Sequence, residues 1–392
     1  MLKNIGHTNL NSYGIFFISI QIQLFWRIII NKINLKPLFY EEENLICAKK
    51  NKIISVASDG TESLICVLPI NWLQALLLCS RLLSRLFRLE VYSSAISGGI
   101  YFISFQKKLY SFKKSSGKLT CEISFENGHG PLSFCCIDSL EGFNSTIYYG
   151  DYVSNPSYEP ISIYKRLDNG GWDKCFTFPK NLINHVHGLV KDDIRNCVWI
   201  LTGDYGSSFG IYKATNNFSK VEPIIIGDQK FRSCVAYPVI DGLLYATDSH
   251  LEKNTIRILK NIDDNWVSEE ISKINGPVIY GCELLDFFIF ATSVEPGLKK
   301  SNKISTLLDR EKGPGIINNR VEIVAISKLT MKKTILEVNP KDFLPARLFQ
   351  FGSACFPSKS NSSNRLATYY TATQKYEGEL RDIEIKKESI NT

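Results

Sequence analysis

The chain predicts an all-β ring of four-stranded blades, a β-propeller, and three observations carry that expectation. From residue 91 onward, short β-type runs of four to eight residues alternate with turn residues, and helical periodicity is scarce. Four segments align with one another at the spacing of a blade. The turns inside the units share one chemistry, built from Asn, Asp and Gly and closed by an aromatic residue.

The aligned segments are "GPLSFCCIDSLEGFNSTIYYGDY" from 130, "HVHGLVKDDIRNCVWILTGDY" from 185, "FRSCVAYPVIDGLLYATDSH" from 231 and "GPVIYGCELLDFFIFATSVEP" from 276. Each reads as a strand, a polar turn and a second strand ending in Thr, Ser or Gly and an acid. The acids are Asp151, Asp204, Asp248 and Glu295, at steps of 53, 44 and 47 residues. A third strand ("ISIYKRL", "FGIYKAT", "TIRILKN") and a fourth ("CFTFP", "EPIII", "VSEEI") follow, and four strands in about 45 residues make a propeller blade. Full units fall at 91–125, 130–180, 185–228, 231–273 and 276–338, with partial sets of about three strands at 38–69 and 349–386. Two partial blades give seven, the preferred count; one shared closing blade gives six. The expected organisation is an apolar extension over 1–37, a propeller over 38–386 with a helical insertion at 71–90, and a tail over 387–392.

The turns between third and fourth strands read "LDNGGW" (167–172), "TNNF" (215–218) and "DDNW" (263–266), tight hairpins whose ring is expected to pack back on the blade. "ASDGTESLICVLP" at 57–69 carries a worn copy. These turns resemble Asp-boxes, the repeat of the BNR or sialidase-like propellers. Together with "HVHG", "TGD", "YATD" and "SVEPG", they resemble an uncharacterised glycosyl-hydrolase-like group of BNR-repeat proteins encoded among bacterial surface-polysaccharide genes. The resemblance implies a propeller fold and a glycan, such as a capsular polysaccharide, as partner. Sialidases present three arginines to the substrate carboxylate, whereas only Arg232 stands at a comparable place here, which argues against ordinary sialidase activity.

Composition excludes other classes. The chain is 44% hydrophobic and 22% charged, which is ordinary for a globular protein. A net charge of +7 is spread without a run of like charges, so no nucleic-acid partner is expected. Eleven cysteines without a CxxC pair sit mostly in apolar runs, which fits reduced thiols and a cytoplasmic location. "YGIFFISIQIQLFW" at 13–26 is apolar, but Gln21 and Gln23 interrupt it and it is short for a membrane span. GxSxG, P-loop, GxGxxG and HExxH motifs are missing.

"NWLQALLLCSRLLSRLFRLE" (71–90) reads as one amphipathic helix, with Leu76, Cys79, Leu83 and Leu86 on one face and Arg81, Arg85 and Arg88 on the other. The expectation is an insertion packed across the propeller with a solvated arginine face; peripheral membrane contact through that face is the alternative.

In a propeller blade, the start of the first strand and the end of the second lie at one mouth of the central channel. The starts carry His129, His185, His187 and Arg232; the ends carry Asp151, Asp204, Asp248 and Glu295, with Tyr152, Tyr205 and His250 just beyond. In "HVHG" the two imidazoles are i and i+2, on one face of a strand. Asp204, Asp248 and Glu295 are the candidate acids and bases, because glycoside cleavage needs paired carboxyls flanking the bond. His185, His187, Arg232, Asp151, Tyr152 and His250 are the candidate contacts to an anionic sugar. No cofactor is expected, although His185, His187 and Asp204 form a two-His, one-carboxylate set of the kind that holds a divalent metal. The functional expectation is a carbohydrate-active propeller, a glycoside hydrolase working through mouth carboxylates; a non-catalytic glycan-binding scaffold is the alternative.

Overall fold

The computed structural model describes residues 31–386, with side chains from Asn34 onward; the apolar stretch at 13–26 and the tail over 387–392 lie outside them. Seven antiparallel sheets of four strands are arranged as a propeller. Blade 1 is Lys36–Glu41, Asn44–Lys49, Lys52–Val56 and Glu62–Val67, so the unit expected to have three strands has four. Blades 2 to 6 begin at Ser93, Cys135, His185, Ser233 and Val278. Blade 7 takes Ser353–Cys355, Arg365–Thr371 and Glu379–Glu384 from the end of the chain and Asn31–Ile33 from its beginning, paired Lys32 to Leu380. Main-chain hydrogen bonds between the first and last strands therefore close the ring, which starts upstream of residue 38.

Strand residues alternate faces, and both faces of each blade meet a neighbouring blade, which is why the strands read as near-continuous apolar runs. Each of the seven hydrophobic clusters among the described residues straddles one pair of adjacent blades. Apolar burial thus lies between blades and leaves the axis free for polar groups. The aromatic turn residues belong to this scheme. Phe218 packs on Phe143 and Tyr148 of the preceding blade, with centroids 5.6 and 5.5 Å away. Trp266 packs on Trp199, 5.4 Å away, also in the preceding blade. Trp172 packs both on Tyr149 of its own blade, 4.9 Å away, and on Phe102 of the preceding one, 6.2 Å away. The expectation that each ring folds back on its own blade is corrected for Phe218 and Trp266, which fasten one blade to the next.

The sequence at 71–90 forms two short helices, Trp72–Leu77 and Arg81–Leu86, rather than one. Asn71 and Ser80 cap them in turn, and each serine- or asparagine-led start interrupts the run. Of the arginine face expected to be solvated, Arg88 is exposed but Arg81 and Arg85 are turned into ion pairs. Arg85 is 4% exposed, pairs with Asp342 at 2.7 Å and donates to the Phe349 carbonyl, and Arg81 pairs with Glu90 and Glu377. Three buried or half-buried acids overrode the surface that helical spacing alone suggests. Among the described residues, no helix is long and apolar enough to cross a membrane.

This insertion lies on the channel face where first strands start and second strands end. Two others share that face: the 293–319 connection with its helix Lys303–Leu307, and the 341–352 segment with its helix Ala346–Phe349. Arg85 and Arg347 tie them together through the carbonyls of Phe349 and Gly297. They roof part of one mouth of the propeller.

Phe218→Ala removes a 1% exposed ring from a junction between blades and should cost about 3–5 kcal/mol in denaturant unfolding. A loss under about 1 kcal/mol would contradict its role as a fastener between blades.

Candidate functional site

The site is assembled by blades 4, 5 and 6. His185–Asp192 is the inner strand of blade 4, and its register with Cys197–Gly203 slips at His187, which is an extra residue between Val186 and Gly188. A bulge of this kind re-aims a side chain. The two imidazoles meet through that bulge rather than through plain alternation. Gly203 makes room: a Cβ there would lie 2.2 Å from His187 Cε1. The inner strands of blades 1, 5 and 6 slip at the matching place, at Leu38, Cys234 and Ile279.

The His185 Nδ1 faces the Val153 carbonyl at 3.1 Å and the His187 Nδ1 faces the Ser233 carbonyl at 2.9 Å. Carbonyls only accept, so each Nδ1 carries a proton. The Nε2 atoms then point at each other across 3.0 Å, with Asp204 Oδ1 at 3.0 Å from His187 and 3.4 Å from His185. Tyr152 packs edge-on against His185 with centroids 4.7 Å apart.

Arg232 follows the one-turn helix Gln229–Phe231 in the connection between blades 4 and 5. Its Nη2 donates to Asp204 Oδ1 at 2.9 Å and to Asp248 Oδ2 at 3.2 Å, and its Nη1 lies 3.5 Å from His250 Nδ1. Asp248 also accepts from Cys234 Sγ at 3.2 Å and is 3% exposed. His250 Nδ1 stands 4.0 Å from Glu295 Oε2. The described residues leave Asp248 Oδ1 and Arg232 Nε buried without a hydrogen-bond partner.

The carboxyls have opposed environments. Burial pushes the Asp204 carboxyl up, but hydrogen bonds with His185 and His187 and the charge of Arg232 outweigh it and hold it well below the usual carboxylate range. Burial and the nearby Asp248 raise Glu295 to about 8, with Arg232 opposing. Burial, then the Arg232 charge, pushes His250 down.

Asp204, Asp248, Glu295, His185, His187, Arg232, His250 and Tyr152 are therefore brought together. Asp151 is not: its Oδ2 accepts from the Ser162 amide at 3.0 Å, turned toward its own third strand. His129 packs near Tyr92 at 5.6 Å, away from the imidazole pair. The acids also do not share one register. The repeated positions are Thr202, Thr247 and Thr292, whose hydroxyls accept from Gly210, Thr255 and Glu322 amides; Asp204, Asp248 and Glu295 follow them by two, one and three residues. Cys234 was not singled out, although its position beside Ser233 matches His187 once the blades are aligned.

A cleft of about 720 Å³ opens on this cluster, lined by Tyr92, His129, Tyr152, Tyr158, His185, Asp204, Tyr205 and Lys299 among others. Of the cluster, Tyr152, His185 and Asp204 line it, whereas Arg232, Asp248 and Glu295 do not. Two groups of side chains have metal-ligand geometry, His185, His187 and Asp204, and His187, Cys234 and Asp248, with the donor atoms of each within 4.8 Å of one another.

Replacing Arg232 with Met leaves Asp204 and Asp248 without their shared cation, and unfolding should become easier by about 3–5 kcal/mol. The double variant Arg232→Met with Asp248→Leu should recover part of that loss, because no uncompensated buried charge remains at 248. Strictly additive losses would contradict the clamp.

No protein-family model matches the chain, and no curated protein matches it by sequence. Among solved structures, the chain is similar to an oligogalacturonate lyase in complex with manganese, at 7% identity and a TM-score of 0.54, over 90% of both chains. It is also similar to the AfRom2 CNH domain, at 8% identity and a TM-score of 0.50, over 92% of this chain and 97% of that one. At these identities the likeness shows the propeller fold.

Proposed function

We propose that the chain is a carbohydrate-active propeller that cleaves a glycosidic bond at this channel mouth, in a polysaccharide of the bacterial surface kind that its turns and mouth motifs suggest. The observation that carries this reading is the meeting of an exposed-side carboxylate, Asp204, with a carboxyl in the opposite environment, Glu295, around one guanidinium. Two carboxyls whose surroundings push their proton affinities apart form an acid and base pair. Glu295, protonated near neutral pH, donates to the leaving oxygen. Asp204 is too acidic to be an efficient base, so its charge suits positive charge developing on the sugar ring. The imidazole pair beside it orients the attacking water, and Asp248 and Arg232 hold the set in place.

A second, metal-assisted reading is favoured by the lone pairs. In this reading both imidazoles are neutral and a cation replaces the Nε2 protons that otherwise bond Asp204. With both Nδ1 atoms committed to carbonyls, two Nε2 lone pairs and a carboxylate oxygen then converge at 3.0–3.4 Å. Ligands roughly 2.1 Å from one ion stand roughly 3.0–3.4 Å from each other, and the Nδ1–H to carbonyl bonds are the usual support for such imidazoles. A divalent cation there would polarise a sugar oxygen or a bound water.

Release of reducing ends from capsular and O-antigen polysaccharides tests the first reading. Wild type should release them at a rate that falls as pH rises through about 8, where Glu295 loses its proton. Glu295→Gln should lose roughly 10²–10⁴-fold in rate. Binding without release in wild type would make the chain a recognition propeller instead. Metal analysis after dialysis tests the second reading: about one divalent ion per chain, lost in His187→Ala, supports it, and a metal-free wild type indifferent to added Mn²⁺ or Zn²⁺ contradicts it.

A further inference from the structure

A cavity of about 240 Å³ lies in the channel beside the cluster, lined by Arg88, Tyr92, His129, Tyr152, Tyr280 and Gln350 among others. It shares Tyr92, His129 and Tyr152 with the cleft that reaches His185 and Asp204. We propose that this cavity is a subsite for a carboxylate-bearing sugar unit, so that the substrate is an acidic polysaccharide. The proposal rests on the carbohydrate reading above and names the substrate class.

Charge points to it first. Arg81, Arg85 and Arg232 each reach at least one carboxylate, but among the described residues no hydrogen-bond acceptor or acid contacts the Arg88 guanidinium. Glu90, the acid lining the cavity, is committed to Arg81. Lys36 also lines it, donates to the Val91 carbonyl and stands near Glu90, which leaves the solvent-exposed Arg88 as the cavity's cation without an acid partner among the described residues. Arg232, expected from the sequence to bind an anionic sugar, is already paired with Asp204 and Asp248.

Backbone cost points to it second. Arg88 has φ of 53°, a left-handed position that favours glycine, after the helix Arg81–Leu86. Gln350 has φ of 66° and ψ of 159°, a region that is nearly glycine's alone. The Gln350 Oε1 is buried and has no partner among the described residues. Two non-glycine residues in costly conformations thus line one cavity, one offering a planar cation and the other a spare acceptor. The guanidinium fork fits a carboxylate, the Gln350 oxygen fits a sugar hydroxyl, and the tyrosines offer ring faces to a pyranose. A neutral sugar would offer the exposed Arg88 guanidinium no charge to pair with.

The test is calorimetric titration of the full chain with oligomers of polyglucuronate, polygalacturonate and hyaluronan, each beside its carboxyl-reduced form. Wild type should bind at least one acidic form roughly 10- to 100-fold more tightly than its reduced form, the worth of a charged hydrogen bond. Arg88→Gly should erase that preference while unfolding no more easily than wild type, since glycine accepts a φ of 53° freely. Arg88→Lys should keep part of the preference, and Gln350→Ala should weaken acidic and reduced forms alike. Equal binding of acidic and reduced oligomers by wild type, or an undiminished preference in Arg88→Gly, would overturn the subsite and leave the carbohydrate reading standing. Failure of every oligomer to bind would overturn both.

Discussion

One guanidinium governs the channel mouth. Arg232 bridges Asp204 of blade 4 and Asp248 of blade 5 through a single nitrogen and stands beside His250, which in turn approaches Glu295 of blade 6. Three carboxyls and three imidazoles in so small a space would repel one another or take up protons without a fixed cation. The cation helps hold Asp204 ionised, while burial and Asp248 raise Glu295 against the pull of the same cation. The ionised state of Asp204 leans on that clamp, whereas burial and Asp248 keep the Cys234 thiol neutral and the Val153 and Ser233 carbonyls orient the imidazole pair.

The propeller makes such a cluster affordable. Apolar burial sits between blades, one cluster per junction, so the axis can carry charged groups without weakening a central core. Each blade contributes by the same means, an inner strand that starts at the mouth and a second strand that ends there. The bulge repeated at Leu38, His187, Cys234 and Ile279 then decides what points inward. Apolar residues at two of these places leave the channel greasy on one side; His187 and Cys234 make it chemical on the other.

Much of this was legible in the sequence, because period-two strands and Asn/Asp/Gly turns are local signals that repeat about every 45 residues. The cluster of His185, His187, Arg232, Asp204, Asp248 and Glu295 followed from where strands start and end. What escaped depended on distance. Asn31–Ile33 finds its partner near residue 380, and nothing local marks it. Arg81 and Arg85 have helical spacing that suggests a wet face, but their partners Glu377 and Asp342 are far along the chain. Asp151 shared the sequence pattern of the other acids and yet serves its own blade, because it accepts from the Ser162 amide as Thr202 accepts from the Gly210 amide in blade 4. Arg88 and Gln350 were legible only as backbone angles.

The proposed chemistry turns on a proton donor at neutral pH. The most direct measurement is the ionisation of Glu295 itself, followed by carbon-13 NMR of a glutamate-labelled chain with Glu295→Gln as the assignment control. A titration midpoint near 8 in wild type is the result the account predicts. A midpoint at an ordinary glutamate's roughly 4.3 would mean that Glu295 is ionised wherever the protein works, and the acid–base reading of the channel mouth would be wrong.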